Sequence, residues 1–173
     1  PLLKQFYLCK KDKKKVHLKP IIEGTDIRFE VREGVCEEEG WLKRANLVCP
    51  CCGNQTVANQ LKEQFKSGAT SEKLLAVIKE GINGKIYELP TQQEKEIVES
   101  IRVDEDFRPR EKMEVGNNRN FNTPGWGVDE FGQMFTDRQL LAMQTLIARL
   151  EALQDELTQL HGQLTPYQNA VLT

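Results

Sequence analysis

Three of the chain's five cysteines stand together in Cys49-Pro-Cys-Cys-Gly53. Cys49 and Cys52 are separated by two residues in a turn closed by glycine, the spacing that holds half of a tetrahedral zinc site. Cys51 is then a bystander. A second C-x-x-C pair would complete the set, but Cys9 and Cys36 stand singly. The competing reading is a tight turn of reduced cysteines. Lys10, Lys11, Lys13, Lys14, Lys15 and Lys19 crowd one short region against a single Asp12. They form either a phosphate-contacting patch or a solvated hairpin tip, where lysine protects a strand edge. Arg102, Arg108, Arg110 and Arg119 stand in a loop with Phe107, Phe121 and Trp126. That mixture suits unpaired bases, and tertiary anchoring by the aromatic rings accounts for it equally well. His17 and His161, the two histidines, have no ligand pattern around them and read as ordinary residues. Asp104, Glu105 and Asp106 read as a solvated charge run. No G-x-S-x-G, P-loop or dinucleotide fingerprint occurs.

At 173 residues the chain suits one medium domain or two small ones. A formal charge of −2 gives no global argument for nucleic acid. Glu37, Glu38 and Glu39 make an acidic knot downstream of the lysines. No run of about 18 apolar residues offers a membrane span, and Pro1-Leu2-Leu3-Lys4 does not make a signal peptide. Five cysteines without a secretory signal indicate a reducing, cytoplasmic setting, where clustered cysteines read as metal ligands. Both ends read as cut: Pro1 enters a strand-like stretch directly, and residues 166–173 resemble an unfinished helix. The expectation is an internal piece of a longer protein.

The elements that must position these groups form an α+β mixture. Residues 2–9, 15–22 and 27–32 predict a small antiparallel meander around the lysine turn, with Pro20 at a strand end or edge. Residues 33–40 read as a loop, and one short strand from Leu42 to Val48 leads into Cys49. Val57 to Phe65 has helical spacing, ended by Gly68. Thr70 to Glu80 reads as a strong helix, with Leu74, Leu75, Val77 and Ile78 on one face and Gly81 as its stop. Lys85 to Leu89 reads as a strand and Thr91 to Ile101 as a helix. The chain is then irregular to about residue 133, a length of connection that is usually functional or flexible. Thr136 caps the longest helix. Four regions follow: a β/zinc-ribbon-like part at 1–56, a mixed helical part with one short strand at 57–102, an Arg/aromatic loop at 103–134, and a long helix with a truncated one at 135–173.

Residues 122–143, a Gly/Pro loop running into a capped helix, closely resemble a segment of bacterial and archaeal adenine-specific DNA methyltransferases that carry a zinc-ribbon insertion. Phe135, Thr136, Arg138, Gln139, Leu140 and Leu141 match that family's helix start, while Asp137 replaces its usual proline. Lys10–Lys15, Cys49–Gly53 and Gly84-Lys-Ile-Tyr87 correspond to its basic turn, its Cys knuckle and its Gly-Lys-x-Tyr strand. The resemblance implies structural zinc on Cys49 and Cys52, with the other ligand pair lying ahead of Pro1 in the parent. It also implies a parent that uses S-adenosylmethionine and acts in restriction-modification. The family's glycine-rich cofactor loop and its Asp/Asn-Pro-Pro-Tyr/Phe tetrapeptide are missing here. The segment itself is therefore expected to be non-catalytic and to assist DNA recognition, with Lys10, Lys11, Lys13, Lys14, Lys15, Arg108, Arg110 and Arg119 as contacts. The alternative is a structural or protein-interaction module that joins the methyltransferase halves or a partner subunit.

Met143, Leu146, Leu150, Leu153, Leu157, Leu160 and Leu164 alternate spacings of three and four, a heptad seam. Such a stripe calls for a cover. The rest of the methyltransferase chain would supply it in the parent. In this segment alone, the helix expected at 70–80 or self-association takes its place. Gly162 is expected to end the rod.

Overall fold

Alternating apolar and charged residues build the first sheet of a computed structural model that describes residues 2–114 and 122–172. Strands β1 (Tyr7–Lys11), β2 (Lys14–Glu23) and β3 (Asp26–Glu33) form an antiparallel meander in that order. Val16 and Leu18 are buried on one face of β2, beside Phe6. The rings of Phe6, Phe29 and Trp41 pack there with centroids 5.2 to 6.5 Å apart. His17 is buried on the opposite, otherwise charged face, aligned with Tyr7 and Arg32. Pro20 lies inside β2 rather than at its end, opposite Phe29. The amide of Leu18 bonds Phe6 on the β1 side. By the alternation of an antiparallel ladder, the Pro20 nitrogen faces that side too, where β1 no longer runs. It is a local edge, so no ladder bond is lost.

The expected single strand from Leu42 to Val48 is a hairpin instead. β4 (Leu42–Lys43) turns through Arg44, at φ 57°, into β5 (Asn46–Val48), which pairs with β6 (Gln55–Thr56). The cysteine turn lies between β5 and β6. Helix α1 (Ala58–Lys66) follows, its Ala58 N–H donating to Asn46 Oδ1 at 3.0 Å, and Gly68 ends it at φ +69°.

The helix expected over 70–80 does not form. Val77–Gly81 is strand β7, paired with β8 (Gly84–Glu88) around a two-residue Ile82-Asn83 turn with Gly84 at φ +107°. β-Branched Val77 and Ile78 suit a pleated surface, and the Gly-x-x-Gly frame supplies the hairpin turn. The region after residue 57 therefore carries two strands, not one. Helix α2 (Gln92–Ser100) follows directly after Thr91, within the expected span. These elements, α2 only as far as Ile97, form with 122–127 one compact unit, Pro1–Ile97 and Asn122–Gly127.

The second unit comprises Val98–Phe121 and Val128–Thr173. Short 3-10 turns at Glu105–Phe107 and Phe131–Met134 and a bridge between Lys112 and Glu130 order its irregular part around buried Met113. Helix α3 (Asp137–His161) is capped by Thr136, whose hydroxyl accepts from Gln139 N–H at 3.3 Å, and it stops at Gly162, φ +71°. Leu140 is fully buried in it. Pro166–Leu172 is a final helix, α4. The class is thus α+β with small antiparallel sheets and a long C-terminal helix, as the sequence predicts. Among the described residues no helix is long and apolar enough to cross a membrane.

Candidate metal centre and basic hairpin

The segment between β3 and β4 returns across the polar face of the first sheet. Two contacts fix its path. Gly40 passes so close to Lys4 that an added Cβ would lie 2.0 Å from the Lys4 carbonyl oxygen, and Leu42 N–H donates to Leu3 O at 3.0 Å. Within the segment, Cys36 N–H donates to the Tyr7 hydroxyl at 2.8 Å. The Tyr7 ring in turn packs edge-on to His17 at 6.1 Å.

This brings together three residues that the sequence leaves apart. Ligand-type atoms of His17, Cys36 and Glu38 all lie within 4.8 Å of one another, and Cys36 Sγ is 3.5 Å from Glu38 Oε2. His17 is 5 % exposed, and its Nδ1 is buried without a hydrogen-bond partner. Burial pushes the Cys36 thiol above its ordinary pKa, and the Glu38 side chain adds to that. The Glu38 carboxyl is lowered, first by its own backbone N–H and then by the Cys36 thiol, His17 and Lys19. A cavity of about 310 Å³ opens beside the group, lined by His17, Lys19, Arg32, Val35, Glu37 and Glu38. Nothing in sequence spacing marks this cluster. Only the glycines that bound the loop, Gly34 and Gly40, hint that residues 35–39 are held by backbone geometry.

Cys49 and Cys52 sit where the motif predicts, in the β5–β6 turn. Cys49 N–H donates to Asn54 O, Gly53 N–H donates to Cys49 O (both 2.8 Å), and Gly53 takes φ +74°. The backbone N–H of Cys52, then that of Cys51, holds the Cys49 thiol below its ordinary pKa. A lowered thiol pKa favours the thiolate form. Among the described residues the three-ligand group is the one around His17, and the knuckle thiols form no second such group.

The lysines occupy the β1–β2 tip. Lys10 stands opposite Lys15 and Lys11 opposite Lys14, with Lys13 exposed in the turn. β3 pairs with β2 only from Val16 onward, so the tip is two-stranded. Lys14 Nζ donates to Lys85 O at 2.6 Å and lies over the Tyr87 ring. Lys10 Nζ lies over the Tyr7 ring.

The arginines are dispersed in role. Arg108 pairs with Asp137 at 2.7 Å and Glu105 at 3.4 Å, and its side chain is only 20 % exposed. Arg102 donates to the Glu99 and Ile101 carbonyls behind α2. Arg110 is exposed. Arg119 and Phe121 lie outside the described residues. Trp126 packs edge-on against Phe65, centroids 5.7 Å apart, as an anchor.

On α3, Met143, Leu150 and Leu157 are half-buried while Leu146, Leu153 and Leu160 are exposed. Leu164 falls beyond the helix end and so leaves the seam. His161 closes the last turn of α3, exposed. Comparison with protein-family models, characterised proteins and solved structures gives no match to this chain.

Proposed function

We propose that this chain is a non-catalytic binding segment that grips duplex DNA with its β1–β2 ribbon, as an accessory part of an adenine-specific DNA methyltransferase. The carrying observation is the cross-strand pairing of Lys10 with Lys15 and Lys11 with Lys14. Like charges directly opposite each other destabilise a ladder, and among the described residues none of these lysines is in an ion pair. A polyanion relieves that repulsion, and a two-stranded ribbon has the width to enter a major groove. The methyltransferase setting rests on the resemblance of residues 122–143 and of the basic turn, knuckle and Gly84–Tyr87 strand. Zinc on Cys49 and Cys52, completed by ligands elsewhere in a parent chain, belongs to the same reading.

Fluorescence anisotropy on a labelled duplex at several salt concentrations tests the grip. Contact with three or four phosphates gives a log-log salt slope of roughly −3. Replacing Lys13, Lys14 and Lys15 with Glu removes binding. Binding that survives the triple replacement refutes the ribbon as the contact. Calorimetry with S-adenosylmethionine is expected to show no binding, because the cofactor loop of the family is missing.

One observation favours a second reading, a protein-interaction module. Leu146 and Leu160 on α3 are 60 % and 76 % exposed, and the heptad spacing makes them one stripe.

A further inference from the structure

His17, Cys36 and Glu38 combine the imidazole, thiolate and carboxylate donors that zinc accepts. In a tetrahedral zinc site, bonds of about 2.0–2.3 Å set neighbouring ligand atoms roughly 3.3–3.7 Å apart. Cys36 Sγ and Glu38 Oε2 already stand at 3.5 Å. The remaining separations, none above 4.8 Å, need to close by only about 1 Å. The decisive observation is the histidine. Its Nδ1 is buried and unpartnered in a residue that is 5 % exposed, a condition that native interiors rarely tolerate without a water or ion. The frame around it is firm on both sides: His17 is locked in the central strand, and Cys36 is tied to Tyr7. Such outer contacts orient ligands in metal sites.

The geometry points to a zinc-type divalent metal site formed by His17, Cys36 and Glu38, with its fourth position opening into the adjoining 310 Å³ cavity. On binding, the Cys36 S–H bond breaks, its proton passes to solvent and the thiolate bonds the metal. Thiolate and carboxylate together balance the dication. Lys19 and Arg32 at the cavity wall then face a neutral centre, and Arg32 is already paired with Glu30. Water or a small anion fits the fourth position. This site shares no residue with the Cys49–Cys52 knuckle and does not depend on DNA binding.

Cysteine alkylation of the folded protein, mapped by mass spectrometry with and without stoichiometric Zn²⁺, tests the assignment. Zinc is expected to slow alkylation of Cys36. Glu38→Gln and His17→Gln are each expected to weaken that protection by more than the roughly 10–100-fold that loss of an outer-shell partner costs. Cys9, buried in β1, serves as the folding control. If His17→Gln makes Cys9 reactive, the decision falls to Glu38→Gln, a loop position. Unchanged Cys36 reactivity in the wild type overturns the site. Protection that persists undiminished in Glu38→Gln overturns it as well, because the Glu38 carboxylate is then not a ligand. In a Cys49→Ser, Cys51→Ser, Cys52→Ser background, Co²⁺ should give one thiolate charge-transfer band per chain, lost in Cys36→Ser. A band retained after Cys36→Ser places the metal elsewhere and refutes the proposal.

Discussion

Thr91 and Glu94 cap helix α2 reciprocally: Thr91 N–H and hydroxyl both donate to Glu94 Oε2, and Glu94 N–H donates back to Thr91 Oγ1. The Thr91 backbone N–H, then its hydroxyl, then Lys79 hold the Glu94 carboxyl below its ordinary pKa of 4.5. A depressed folded-state value means that the cap's stabilisation is complete above the ordinary carboxylate range. It is lost as pH falls through the lower folded value. NMR titration of the Glu94 side chain should therefore give a midpoint below the ordinary one, and Thr91→Ala should move it upward. An ordinary midpoint in the wild type would contradict the cap. This pair is readable from sequence, because Thr-x-x-Glu ahead of a helix is a known capping box. His17 with Cys36 and Glu38 is not readable, since 18 residues of sheet and return loop separate the first two and only the tertiary path joins them. Arg108 is a middle case. Its place in a basic loop suggested a nucleic-acid contact, whereas the fold seats it against Asp137 at the start of α3. Asp137 is half exposed, so Asp137→Asn should cost no more than about 1 kcal/mol in urea unfolding.

At the scale of elements, close backbone crossings decide what sequence patterns leave open. The apolar spacing of Leu74, Leu75, Val77 and Ile78 fits a helix face, yet the chain pairs Val77–Gly81 with Gly84–Glu88. Lys79 Nζ reaches Glu88 at 2.8 Å on the partner strand and Glu94 at 3.2 Å. A short apolar run cannot by itself distinguish the two periods, and here the glycine-framed turn and strand pairing prevailed over helix propensity. The meander, α1, α2 and α3 were legible because caps, stops and alternation agreed there. The 33–40 segment was legible as a loop but not as a cover for the sheet. Its crossing at Gly40 is the point to test. Gly40→Ala forces a Cβ into the Lys4 carbonyl, and relief requires moving backbone. The expected loss is about 1–3 kcal/mol, the usual cost of overpacking, read from chemical denaturation. The same change should speed alkylation of Cys36, because the loop that carries it loses its clamp. An unaltered unfolding midpoint together with unaltered Cys36 reactivity would show that the crossing does not hold the loop.

For the whole molecule, the uncovered feature is the α3 stripe. Its 25 residues make a rod of roughly 38 Å at ~1.5 Å per residue. Leu146, Ile147, Leu153 and Leu160 are each at least 42 % exposed, while Glu151, Asp155 and Glu156 keep other faces charged. Covering the remaining apolar surface yields roughly 1 kcal/mol per side chain. Two such stripes facing each other gain several kcal/mol, of which association entropy consumes a large part. The balance favours a weak, concentration-dependent pair of chains rather than an obligate dimer. The net charge of −2 opposes such contact only slightly. Sedimentation over a range of concentrations should show a rising average mass for the wild type. A Leu153→Glu, Leu157→Glu double variant should remain a folded monomer at every concentration, since charges on the seam repel and helix propensity is kept. The lysine triple variant, altered in the other unit, should associate like the wild type, which separates this surface from the proposed DNA grip. A wild-type chain that stays monomeric at the highest concentration sinks self-association. The stripe would then need a different cover.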